Sequence, residues 1–110
     1  MKIELLHIAD CPNTARALER VEAALAALGR DDVAVHVRLI ESAADTAGTG
    51  FAGSPTITAD GADLFPGGAP SGELACRIYP TPGGHAGAPT VDQVIEALKS
   101  HGLTPSQRRR

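Results

Sequence analysis

The sequence predicts a single α/β domain built on a central four-stranded mixed sheet. Three features predict it. An apolar run at residues 2–8 is followed by a helical stripe and then by a β-branched strand, an Asp-Gly turn joins two further strands, and a capped amphipathic helix closes the chain. With 110 residues there is room for one domain and one core. A chain of this size buries about two-thirds of its unfolded surface and needs no cross-links to fold.

The elements follow in order. Residues 2–8 carry Ile3, Leu5, Leu6 and Ile8 and read as a buried strand. Asp10-Cys11-Pro12-Asn13 reads as a turn or helix start, with Pro12 suited to the first helical position. Ala17, Leu18, Val21, Ala24, Leu25 and Leu28 then form one helical stripe, stopped by Gly29. Residues 33–40 alternate Val33, Val35, Val37 and Leu39 with Ala34, His36 and Arg38, as a strand does. The Ala-rich residues 41–50 fit one or two helical turns. After Gly53-Ser54-Pro55 come a strand at residues 56–59, the turn Asp60-Gly61 and a partner strand at residues 62–65. Residues 66–89 hold most of the Gly and Pro and read as one long irregular loop, functional or mobile. Thr90 caps a helix over residues 91–100, with Val91, Val94, Ile95 and Leu98 on one face and Gly102 as its stop. The first two strands, joined by a helix, are expected to be parallel with a right-handed crossover. The domain is expected to span residues 1–103, with residues 104–110 a disordered tail.

Composition excludes several functions. Two Phe, one Tyr and no Trp, with a net charge of −3, do not suit a surface that stacks bases or binds phosphates. The basic run at residues 108–110 falls short of a polybasic membrane anchor. Residues 3–9 are too short an apolar run for a secretory signal, and no stretch reaches the ~20 residues of a membrane span. The expectation is a cytoplasmic protein without nucleic-acid or membrane partners, whose two cysteines are reduced or catalytic. His7, His36, His85 and His101 are scattered without zinc-ligand spacing. His7 is a candidate base or a satisfied strand-end residue, and His101 suits a helix C-terminus. The glycines at 67, 68, 83, 84 and 87 do not form a phosphate-binding pattern.

Two motifs carry a resemblance. Asp10-Cys11-Pro12-Asn13-Thr14, between the first strand and helix, and Gly53-Ser54-Pro55-Thr56-Ile57, at the head of the third strand, resemble the thioredoxin-like superfamily. The resemblance covers the element order except residues 66–89. It implies a cis Pro55 facing Cys11, with the backbone of Ser54 left free to pair with a substrate chain. Redox members carry Cys-x-x-Cys, whereas Thr14 holds the second position here, so the chain resembles a monothiol variant. On the residues alone, Pro55 also fits a trans proline opening an edge strand.

Physical chemistry makes Cys11 the candidate nucleophile. At a helix N-terminus a thiolate meets unsatisfied N–H donors and the positive end of the macrodipole. The Thr14 hydroxyl can add a hydrogen bond, while the neighbouring Asp10 carboxylate opposes thiolate formation. The alternative is a small apolar side chain filling the turn. Cys76 lies 65 residues away in sequence, but the topology returns it. The third strand starts beside the Cys11 turn, the Asp60-Gly61 turn reverses the chain, and Phe65 delivers the long loop to the same rim. Cys76 is then a candidate resolving thiol, if the two Cα atoms approach within about 7 Å.

A second resemblance is local. Leu74-Ala75-Cys76-Arg77-Ile78-Tyr79, with Gly84 and Ala88-Pro89-Thr90, is similar to the C-terminal part of organomercurial lyases. It implies Cys11 and Cys76 as thiolates for mercury and Asp10 or Asp63 as the acid, in keeping with the preference of soft ligands for soft metals.

Three functions stay open. The first is a thiol-dependent oxidoreductase acting on a thiol or disulfide substrate, protein or small molecule, with Cys11 and Cys76 catalytic. In it Asp10, Pro12 and Thr14 support the cysteine, Ser54 and Pro55 bind substrate, and no cofactor is resident. The second is an organomercurial lyase or a binder of thiophilic metal compounds, and the third a catalytically silent interaction module. The oligomeric state is not fixed by the sequence.

Overall fold

A computed structural model describes residues 1–66 and 74–106. The chain forms β1 (Ile3–His7), α1 (Thr14–Ala27), β2 (Val35–Leu39), a 3-10 turn (Ala43–Thr46), β3 (Thr56–Ala59), β4 (Ala62–Asp63), β5 (Tyr79–Thr81), β6 (Gly84–Ala86) and α2 (Val91–Ser100). The four-stranded mixed sheet has the order β2-β1-β3-β4, and β5 and β6 form a separate two-stranded hairpin. β1 and β2 are parallel, as a helical crossover requires. β3 runs antiparallel to β1 with Leu6 opposite Thr56, so β3 begins where β1 ends.

The period-2 alternation of β1 decides the layers. Ile3 and Leu5 face the helices, where they join Ala17, Val21, Ala24 and Leu25 of α1, Ile57 and Ala59 of β3, and Val94 and Leu98 of α2. Leu6 faces the other way and packs with Ile40 and Phe51 of the connector before β3. Small residues on α1 let α2 lie close, which explains how an aromatic-poor sequence closes its core. α2 carries the predicted Thr90 cap: Thr90 Oγ1 accepts from Gln93 N–H at 3.1 Å, and Gln93 Oε1 accepts from Thr90 N–H at 2.8 Å. No helix among the described residues is long and apolar enough to cross a membrane.

The structure departs from the sequence reading at three places. Residues 66–89 are not one irregular loop, since they contain the β5–β6 hairpin, whose strands are too short to display a period. Its turn is closed by Thr81 Oγ1 donating to the Gly84 carbonyl at 2.5 Å. β4 is two residues long, although Leu64 N–H still reaches the Ile57 carbonyl at 2.9 Å. β2 is an edge strand on which Val35 packs against the core while Val37 and Leu39 are exposed. Thr104 to Ser106 are docked on the end of α1 rather than frayed. The reason is that helix C-termini leave carbonyls unpaired: Ser106 N–H takes that of Leu28 at 2.8 Å, and Arg30 binds the Thr104 carbonyl at 2.8 Å. Gly67, Gly68 and residues 108–110 lie outside the described residues.

Core and edge separate in their response to truncation. Leu98 is fully buried between α1 and the sheet, so Leu98→Ala should lower the unfolding free energy by about 2–5 kcal/mol. Val37→Ala, at a half-exposed edge position, should stay within about 0.5 kcal/mol. Urea unfolding of the two variants checks the contrast.

Candidate functional site around Cys11

The site lies where β1 ends and β3 begins. After β1 the chain reverses at Asp10, which has a φ of 58°, a left-handed conformation that Asp tolerates better than most residues. Residues 11–14 then form a turn in which Thr14 N–H reaches the Cys11 carbonyl at 3.3 Å. Pro12 occupies the second position of that turn, where its fixed φ is suited. It precedes Asn13, the N-cap of α1, and so is not the first helical residue as the sequence predicts. Asn13 makes no side-chain cap and lies against Gly87 instead: a Cβ at residue 87 would come within 2.1 Å of Asn13 Nδ2. The segment leading into α2 thus lies against the cysteine turn, and a Cβ at residue 87 would have to displace the Asn13 side chain.

Ser54 meets this turn from β3. It is fully buried, and its peptide bond to Pro55 is cis, as the resemblance implies. Ile8 N–H donates to Ser54 Oγ at 3.0 Å, which orients the hydroxyl and leaves its hydrogen for the Cys11 sulfur. Thr14 Oγ1 is buried and unpartnered by strict hydrogen-bond geometry, yet close enough to that sulfur to favour its thiolate. Burial pushes the Cys11 thiol up. The Ser54 and Thr14 hydroxyls, with the N–H groups of Asn13 and Thr14, outweigh it and hold the thiol below its ordinary value.

Ser54 also binds the distant cysteine segment. Its N–H donates to the Ala75 carbonyl at 2.8 Å, and its own carbonyl accepts from Arg77 N–H at 2.9 Å. These bonds make Cys76 the parallel bridge partner of Ser54. The expectation of a free Ser54 backbone is therefore corrected, because the chain's own residues 75–77 take both groups. Paired residues of adjacent strands project to the same side, about 5 Å apart. Cys76 and the Ser54 hydroxyl thus share a side, and that hydroxyl helps lower the Cys11 pKa. Both cysteines are free thiols, Cys11 half-buried and Cys76 exposed.

Two residues that sequence reasoning did not single out hold this segment. Arg77 is buried, pairs with Asp63 Oδ2 at 2.8 Å and donates to the Phe65 carbonyl. Its guanidinium lies 4.6 Å above the Tyr79 ring. The Tyr79 hydroxyl donates to the Pro55 carbonyl, and its burial drives its pKa far up, so it stays a donor. The only trace in the sequence is an Arg and a Tyr two residues apart after Cys76. Asp63, a candidate acid in the mercury reading, has one oxygen on Arg77 and the other on Phe65 N–H at 2.9 Å. It serves as a structural counter-ion. His7 Nδ1 lies 3.0 Å from the Ile8 carbonyl, which satisfies it at the strand end. No group of three or more His, Cys, Asp or Glu among the described residues is arranged to hold a metal ion.

Comparisons with family models, curated proteins and solved structures find no match to this chain.

The Asn13–Gly87 contact makes a reciprocal prediction. Gly87→Ala should destabilise the domain by about 1–3 kcal/mol through overpacking and change the reactivity of Cys11. Asn13→Ala in the same chain should restore much of both, as thermal unfolding and alkylation rates will register.

Proposed function

We propose that this chain is a thioredoxin-like thiol–disulfide exchange protein, with Cys11 as nucleophile and Cys76 as resolving thiol. The observation that carries the reading is the surroundings of the Cys11 sulfur. At the start of α1 the Ser54 and Thr14 hydroxyls and the Asn13 and Thr14 N–H groups hold its pKa below the ordinary value, which favours the thiolate, the reactive form. An inert cysteine filling a turn has no need of the Thr14 hydroxyl, which is buried without another partner. The order β-α-β, hairpin, helix and the cis Ser54–Pro55 bond opposite Cys11 agree with the superfamily that the two motifs resemble.

The exchange balances with these residues. The Cys11 thiolate attacks a disulfide RS–SR, forming Cys11–S–SR and releasing RS⁻. The Cys76 thiolate then attacks the Cys11 sulfur, forming a Cys11–Cys76 disulfide and releasing the second RS⁻. Two equivalents of an external thiol reduce that bond and become the oxidised product. Cys76 takes the part that Thr14 cannot. Thr14 in turn stabilises the thiolate instead of trapping it.

The pH profile of alkylation tests the nucleophile. Rates track the thiolate, so a lowered pKa moves the rise of the profile to lower pH. In Cys76→Ser, iodoacetamide labelling of Cys11 should reach half its plateau below the ordinary thiol value of about 8.5. Thr14→Val should move the midpoint up by about half a unit to one unit, the worth of one neutral hydrogen bond. Its stability should hold, since no other partner loses that hydroxyl. A midpoint at or above the ordinary value would contradict the reading.

A further inference from the structure

The strand edge beside Cys11 is already occupied. An extended polypeptide that brings a sulfur to a nucleophile docks on the nearest unpaired strand edge, where main-chain hydrogen bonds hold it. Next to Cys11 those groups belong to Ser54, and residues 75–77 use both of them, at 2.8 and 2.9 Å. The occupant is firmly held. Arg77 is buried on Asp63 at 2.8 Å and lies over Tyr79, whose hydroxyl is tied to the Pro55 carbonyl. Phe65 meets the Tyr79 ring edge-on at 5.5 Å between centroids. Gly53 shows how close the fit is, for a Cβ there would lie 2.8 Å from Arg77 Cβ, at a φ of 110° that already favours Gly. A protein substrate would have to displace this segment, and with it uncover a buried charge.

We infer, building on the exchange chemistry proposed above, that the substrate is a low-molecular-weight disulfide and not a polypeptide chain. The half-buried Cys11 sulfur is open to a small molecule that needs no strand edge. The segment that bars a peptide also carries Cys76, so the resolving thiol is supplied by the occupant of the substrate edge. Its backbone holds Ser54 while its side chain is exposed on the side of the Ser54 hydroxyl.

The test uses the full chain as Cys76→Ser, so that only the first attack is read. Two uncharged probes are compared: 2-hydroxyethyl disulfide, and the disulfide-linked dimer of an uncharged extended peptide. The small disulfide should react with Cys11 about tenfold faster or more, the bias that loss of two main-chain hydrogen bonds sets. Adding Arg77→Ala should narrow that ratio by raising the peptide rate. Tyr79→Phe, which keeps the ring and loses only the bond to Pro55, should narrow it by less while keeping the fold. Equal rates for the two probes, or a ratio that neither added variant changes, would overturn the inference. A 2-hydroxyethyl disulfide rate no greater than that of free cysteine at the same pH would instead overturn the exchange reading beneath it.

Discussion

Ser54 is where the parts of this molecule meet. It is a fully buried serine whose polar groups are in use: its hydroxyl accepts from Ile8 N–H and helps lower the Cys11 pKa, its N–H donates to the Ala75 carbonyl, and its carbonyl accepts from Arg77 N–H. Burial makes this completeness necessary, since an unpaired polar group in such a place costs about 1–3 kcal/mol. The consequences run outward along each bond. The hydroxyl ties the segment leading into β3 to the end of β1 and helps tune the thiol, while the main-chain pair holds a distant segment through a single bridge. A single residue thus couples the sheet, the cysteine turn and the second cysteine.

The electrostatics follow the same economy. The described part of the site contains one buried cation, Arg77, and its charge is answered by Asp63 and the Tyr79 ring rather than by the Cys11 thiolate. The thiolate is favoured by dipoles alone, from hydroxyls and helix-start N–H groups. Dipoles fixed by the fold need no counter-ion that could compete for the sulfur.

Much of the fold was legible because its signals are local. The stripe of Ala17, Val21 and Leu25, the stop at Gly29 and the Thr90 cap each act within a few residues, and the helices stand where they predict. The Asp60-Gly61 turn likewise returned the chain and brought Cys76 to the β3 side. What the sequence did not disclose depends on contacts between distant residues. Arg77 reads as a surface charge until Asp63 is beside it, and Gly87 as loop flexibility until Asn13 is beside it. The occupied backbone of Ser54 was hidden for the same reason. Hydrogen bonding to residues 75 and 77 leaves no periodic mark, and the family resemblance pointed to the opposite state. Alternation in β2 shows which residues share a face but not whether anything covers it, and there Val37 and Leu39 are exposed.

The proposed exchange requires that pairing to Ser54 set Cys76 beside Cys11. Its most direct test is disulfide mapping of the monomer after treatment of the reduced chain with 2-hydroxyethyl disulfide. An intramolecular Cys11–Cys76 link is expected, seen by mass spectrometry as the loss of two hydrogens and one joined peptide, with no adduct retained. A stable mixed disulfide on Cys11, or only intermolecular dimers, would contradict it.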